Sequence, residues 1–161
     1  MKLFLAALFI AGFSSFAYSQ ELTPGTEMPK AVFYKKAGGT FSTDQIAKGK
    51  KTLLMFFDAT CGHCQKTAAA MSKRNKEFTD INLVLVTQDE QRSIDYFMTN
   101  YGKSLLSMKN VTILQDKDHV FIPLFHPKQY PSLYLFGPDK KLIYYSSNDN
   151  DVPKFFKLIK L

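Results

Sequence analysis

The chain has 161 residues, 45% of them hydrophobic and 22% charged, which suits one folded domain with a real core and excludes an extended disordered segment. Its formal net charge of +7 is scattered over lysines rather than gathered into one block. Nucleic-acid binding calls for a basic stripe with interleaved aromatics, and the nearest candidates, Lys48 to Lys51 and Lys154 to Lys160, are short, so no nucleic-acid partner is expected.

Lys2 precedes an apolar run from Leu3 to Phe16, about 14 residues where a membrane-spanning helix needs about 20. That length fits the core of a signal peptide, and the small residues Ala17 and Ser19 frame a cleavage site. Residues 1–19 are therefore assigned as signal peptide and 20–161 as the folded domain, with an uncleaved membrane anchor as the alternative. No cysteine lies near the cleavage site to carry a lipid. Export leads to compartments where disulfides persist.

The short apolar run Ala31 to Tyr34 meets Ala37-Gly38-Gly39-Thr40, whose paired glycines supply the positive φ values of a tight turn, so a β-hairpin is predicted. Ser42 is placed to cap a helical turn running to Ile46. Thr52 to Phe57 is apolar after its first residue, the pattern of a strand buried on both faces of a parallel sheet. Downstream, Cys64, Ala68, Met71 and Phe78 form one stripe of a long helix, with Lys66, Lys73, Arg74 and Lys76 largely on its other side.

Ile81 to Val86 reads as a second buried strand, and Ile94, Tyr96, Phe97 and Tyr101 lie in a helix that Gly102 ends. Val111 to Leu114 is a third short strand, followed by a helical or irregular apolar stretch from Asp118 to Phe125 that Pro127 closes. Ser132 to Phe136 and Lys141 to Tyr145 form an antiparallel pair around Gly137-Pro138-Asp139-Lys140. In a final helix Val152, Phe155, Phe156, Ile159 and Leu161 share one side and Lys154, Lys157 and Lys160 the other. Strands alternating with helices imply an α/β fold with a central mixed sheet.

The chain holds two cysteines, Cys61 and Cys64, set where a buried strand hands over to a helix. Unpaired N–H groups and the macrodipole at a helix N-terminus stabilise a thiolate, which is the attacking species. Cys61 is thus the candidate nucleophile. Cys64, almost one turn later and packed against the sheet, is the candidate resolving thiol. Between them His63, when protonated, favours the Cys61 thiolate, so Gly62 and His63 are candidates for tuning the site.

Three plainer readings compete. A zinc half-site needs more ligands than two cysteines with His63, His119 and His126 supply at recognised spacing. A structural disulfide across two residues closes too small a loop to stabilise much. His119 and His126 fit loop positions as well as a site. No cofactor and no metal are expected.

The buried strand Leu53-Leu54-Met55-Phe56-Phe57, the Cys61-Gly62-His63-Cys64 motif, and Tyr130-Pro131 ahead of Ser132-Leu133-Tyr134-Leu135-Phe136 together resemble the thioredoxin superfamily. The resemblance is to its exported thiol-disulfide oxidoreductases, including the membrane-fed reductases of cytochrome maturation, and covers nearly all of the chain after residue 19. It implies a thioredoxin fold with an added N-terminal hairpin. It implies a cis Pro131 lying against the disulfide, with Tyr130 and Pro131 forming the substrate groove. It also implies partners that are protein thiols or disulfides, a membrane electron donor, a monomeric chain and a periplasmic or other extracytoplasmic location.

The sequence departs from those relatives at several positions. Thr67 and Ala69 stand where exported reductases carry glutamate and proline, Thr60 where thioredoxins carry tryptophan, and Met55 where they bury an acid. Asp58 either assists proton transfer or satisfies local backbone at a strand end. A peroxidase of the same fold would need Pro and Thr at positions occupied by Leu54 and Asp58. A copper-binding module using His126 would space its cysteines as CxxxC.

The direction of electron flow stays open. The motif resembles that of protein disulfide isomerase, at about −180 mV against about −270 mV for thioredoxin. The N-terminal hairpin and chain length point to a reductase, with a disulfide oxidase or isomerase as the alternative.

Overall fold

The computed structural model describes residues 21–161, so the expected signal peptide lies outside the described residues. Strands β1 (Val32–Lys35), β2 (Thr40–Ser42), β3 (Thr52–Phe56), β4 (Asn82–Thr87), β5 (Val111–Gln115), β6 (Ser132–Phe136) and β7 (Leu142–Ser146) form one sheet ordered β2-β1-β5-β4-β3-β6-β7. The β3, β4 and β5 strands are parallel, and the outer pairings are antiparallel. The double-sided apolar run thus lands in the interior of the sheet, with β4 on one flank and β6 on the other.

Among the described residues five α-helices cover the sheet: α1 (Gly62–Lys73), α2 (Gln91–Asn100), α3 (Lys103–Leu106), α4 (Phe121–Phe125) and α5 (Val152–Lys160). Period-two alternation divides β3 between two cores. Leu53 and Met55 pack with Cys64, Ala68 and Met71 of α1 and with Phe97, Phe155 and Phe156, while Leu54 and Phe56 pack with Phe33, Phe121 and Phe125. A helix as short as α4 is marginal alone. It is held by Phe121, whose ring stacks on Phe56 at 4.1 Å and on Phe125 at 4.3 Å. The fully buried Asp116 caps it, accepting the N–H groups of Val120 and Phe121 at 2.9 and 3.0 Å.

The hairpin forms as expected, with Gly38 and Gly39 at φ 90° and 77°. Its β1 strand also pairs with β5, through Tyr34↔Gln115 and Lys35↔Leu114, which local sequence does not disclose. Ser42 closes a full capping box with Gln45 over a 3-10 turn.

Three expectations need correction. The helix after the cysteines stops at Lys73, because Arg74 leaves helical geometry, and Phe78 lies in a separate 3-10 turn, Asn75–Phe78. Asn110 holds that turn from afar, its side chain donating to the carbonyls of Phe78 and Ile81 at 2.6 and 2.7 Å. Leu161 does not join the apolar side of α5; it follows the last turn and is 92% exposed, leaving Ile159 as the final buried residue. The last strand runs Leu142–Ser146, one residue later than read, with Lys141 ahead of it in an isolated antiparallel bridge to Glu27.

Candidate redox-active site

The β3 strand delivers the chain to a tight loop ending at Cys61. Asp58 organises it: its Oδ1 accepts the Thr60 N–H at 2.7 Å, the Thr60 hydroxyl at 2.6 Å and the Cys61 N–H at 3.1 Å. Of the two readings open for Asp58, satisfaction of local backbone is the one these bonds support. Across the sheet, Asp89 Oδ2 accepts the N–H of Ala59 at 2.7 Å, and Gln65 Nε2 returns a bond to the Ala59 carbonyl at 3.1 Å.

Cys61 is the N-cap residue of α1, with extended backbone angles of φ −71° and ψ 116°, and its carbonyl accepts the first intrahelical bond from the Gln65 N–H at 3.0 Å. The thiol therefore sits beside the unsatisfied N–H groups of the first turn. Cys61 is partly exposed, whereas Cys64 has no exposed surface, and both are free thiols. Burial pushes the Cys64 thiol well above the ordinary cysteine range, and its hydrogen bond to Cys61 and the nearby charges of Cys61 and Asp58 push the same way. The Asp58 main chain, hydrogen-bonded to Cys64, offsets part of this.

The Tyr130–Pro131 peptide is cis, as the resemblance implies, and the Tyr130 carbonyl oxygen accepts from Cys61 Sγ at 3.8 Å. The Tyr130 ring lies 5.0 Å from that of Phe56. Burial and then the carboxylates of Asp58 and Asp89 raise its hydroxyl above the usual tyrosine range. Beside the loop an open groove is lined by Ala59, Thr60, Gln65, Glu90, Arg92 and Tyr96.

Gly62 opens α1, and the exposed His63 ring follows it. His63 Nδ1 lies 2.8 Å from Asp149 Oδ2, on the 3-10 turn Asp149–Asp151 that leads into α5. The bond holds the Asp149 carboxyl below the usual carboxylate range. Sequence reasoning missed both Asp149 and Asp89, because each reaches the site from 86 and 30 residues away and neither belongs to a motif.

His119 and His126 both adopt left-handed backbone, at φ 53° and 50°, and His126 ends α4. Among the described residues no group of three or more His, Cys, Asp or Glu side chains is placed to hold a metal ion. Cys61, Cys64 and His126 thus form no such group.

The fold and this pair of thiols can be set beside known proteins. A family model described as "AhpC/TSA family" matches residues 24–145. The chain belongs to the AhpC/TSA family. A Haemophilus influenzae protein described as "Thioredoxin-like protein" is 29% identical over 101 residues, covering 62% of this AhpC/TSA chain and 59% of its own length. The chain thus spans less than two thirds of that curated relative.

Two solved structures named for disulfide chemistry share the fold of this AhpC/TSA member. One is a putative thiol:disulfide interchange protein DsbE from Chlorobium tepidum, with TM-score 0.72 and 17% identity over 87% of this chain and 97% of that one. The other is a secreted Mycobacterium tuberculosis disulfide oxidoreductase homologous to Escherichia coli DsbE, with TM-score 0.63 and 18% identity over 80% and 95%. A third, the peroxidoxin BcpB of the same bacterium, has TM-score 0.69 and 14% identity over 86% and 96%. Among the described residues no helix is long and apolar enough to cross a membrane.

Proposed function

We propose that the protein is an exported thiol-disulfide oxidoreductase that acts on protein disulfides as a reductase. The observation that carries this reading is the asymmetry of the two thiols: Cys61 partly exposed at the start of α1, Cys64 fully buried behind it. The Cys61 thiolate attacks one sulfur of a partner disulfide and expels the other as a thiolate, forming a mixed disulfide. Cys64 then attacks Cys61 Sγ and expels the second partner sulfur, which takes up the Cys64 proton, while the first partner thiolate takes from water the proton that Cys61 had released. The partner gains two electrons and two protons, and Cys61 and Cys64 become a disulfide.

Because burial holds Cys64 protonated in the resting dithiol, it waits for the mixed disulfide rather than competing for the partner. Tyr130 and Pro131 flank Cys61 and form the surface on which the partner's backbone lies. The cycle closes when a membrane electron donor or another thiol protein returns two electrons. Residues 1–19 direct the chain out of the cytosol as a cleaved signal, and it works as a monomer.

The AhpC/TSA membership also admits a peroxidase reading, which the local residues disfavour. Leu54 is buried in β3, and Asp58 is already committed to the loop backbone, so neither supplies the Pro and Thr of a peroxide site.

Cys64→Ala removes the resolving attack, so Cys61 is expected to accumulate mixed disulfides with its partners in the native compartment. Adducts that disappear in Cys61→Ala support the reading. A Cys64→Ala protein that captures nothing beyond Cys61→Ala contradicts it.

A further inference from the structure

We propose that Asp149 is a positioning residue for His63 and, through it, sets the balance between the dithiol and disulfide forms of the Cys61–Cys64 pair. The inference rests on the thiol-disulfide reading above. His63 is the second residue of α1 and stands between the two cysteines, yet its Nδ1 is bonded at 2.8 Å to a carboxylate carried by the turn ahead of α5. Nothing in the motif requires that bond.

A carboxylate accepting from Nδ1 makes Nδ1 the protonated nitrogen of the neutral ring and leaves Nε2 as the nitrogen that gains or loses a proton. It also fixes a ring that is otherwise 63% exposed and free to rotate. Asp149 is itself well placed to hold. Its side chain is only 23% exposed, and Asn148 caps the same turn by accepting the Asn150 N–H at 3.0 Å. The turn is continuous with α5, whose Val152, Phe155 and Phe156 are buried in the core shared with α1. The imidazole is therefore tethered to a rigid element and not to a mobile loop.

The other charge on Asp149 is that of Lys66, one turn along α1 from His63. A change at Asp149 could therefore reach the thiols through either side chain, and the test must separate them. Wild type, Asp149→Ala, Asp149→Glu, His63→Gln and the double variant His63→Gln/Asp149→Ala are equilibrated with a glutathione redox series, with far-UV circular dichroism confirming the fold of each.

Asp149→Ala is expected to shift the equilibrium about threefold toward the disulfide, the scale of a pair with one solvent-exposed partner. Asp149→Glu should recover part of the shift. In the His63→Gln background Asp149→Ala should add nothing, since coupled residues are not additive. An unchanged equilibrium in Asp149→Ala, or a shift of full size persisting in the His63→Gln background, overturns the inference while leaving thiol exchange intact. A wild-type protein that forms no intramolecular disulfide in glutathione defeats the underlying reading, and this inference with it.

Discussion

Asp89 pins the Cys61 loop from the neighbouring strand: its Oδ2 accepts the Ala59 N–H at 2.7 Å while also accepting the Thr87 hydroxyl at 2.7 Å. One carboxylate just past the end of β4 thus sets the path of the residues between β3 and α1. Asp89→Ala leaves the N–H of the buried Ala59 without its partner and is expected to cost about 1–3 kcal/mol. Urea unfolding measures that loss, and iodoacetamide labelling of Cys61 should become faster as the loop loosens. Unchanged stability with unchanged labelling would show that Asp89 does not organise the loop.

His63→Pro should make the protein more reducing. Proline is tolerated in the first turn of a helix, so α1 survives, but the imidazole that favours a thiolate when protonated is lost along with its bond to Asp149. The expected fall in reduction potential is about 30 mV, equivalent to about 1.4 kcal/mol for a two-electron couple. Equal potentials for the two proteins would mean that the ring does not tune the site.

The carboxyls of Glu77, Asp95, Asp149 and Asp151 are all held below their usual range, chiefly by hydrogen bonds from Arg74, Lys36, His63 and Ser146 in turn. A depressed folded-state pKa gives stability that is present above the unfolded value and lost as pH falls through the folded one. Melting temperature should therefore drop steadily below about pH 4, the unperturbed carboxylate range. Cys64 has the opposite sign: its raised pKa gives stability present below the unfolded thiol value and lost as pH rises past about 8.5. The part of that loss between about pH 8.5 and 10 should vanish in Cys64→Ala, which keeps no buried thiol to ionise on unfolding, while the raised hydroxyls of Tyr130 and Tyr134 still cost stability above it.

Phe121→Ala removes a fully buried ring that stacks on Phe56 and Phe125, and is expected to cost about 3–5 kcal/mol. Because Phe56 also carries the Tyr130 ring, guanidinium unfolding should show the loss, and Cys61 labelling should change with it.

What sequence disclosed and what it hid follow from how far each interaction reaches along the chain. The run Leu53 to Phe57 marked a strand buried on both faces because its apolar residues are consecutive, and the cysteine spacing marked the turn into α1 for the same local reason. Gly38 and Gly39 announced the hairpin, but its pairing with β5 joins residues about eighty positions apart. The turn that carries Phe78 is held by Asn110, and the loop of Cys61 is held by Asp89. Asp116 is acidic yet fully buried, the reverse of what residue type suggests, because the main-chain N–H groups of Val120 and Phe121 at the start of α4 and the Gln88 amide satisfy it. Such residues become visible only once the strands are paired.

The central claim is that Cys61 and Cys64 form a reversible two-electron couple with Cys61 as the attacking thiol. It is tested most directly by equilibrating the protein with a glutathione redox series, quenching with acid and mapping the products by mass spectrometry. The account predicts one transition between a dithiol and an intramolecular Cys61–Cys64 disulfide, with trace glutathione adducts on Cys61 alone. Stable glutathione adducts on Cys64, or no intramolecular disulfide at any ratio, would contradict it.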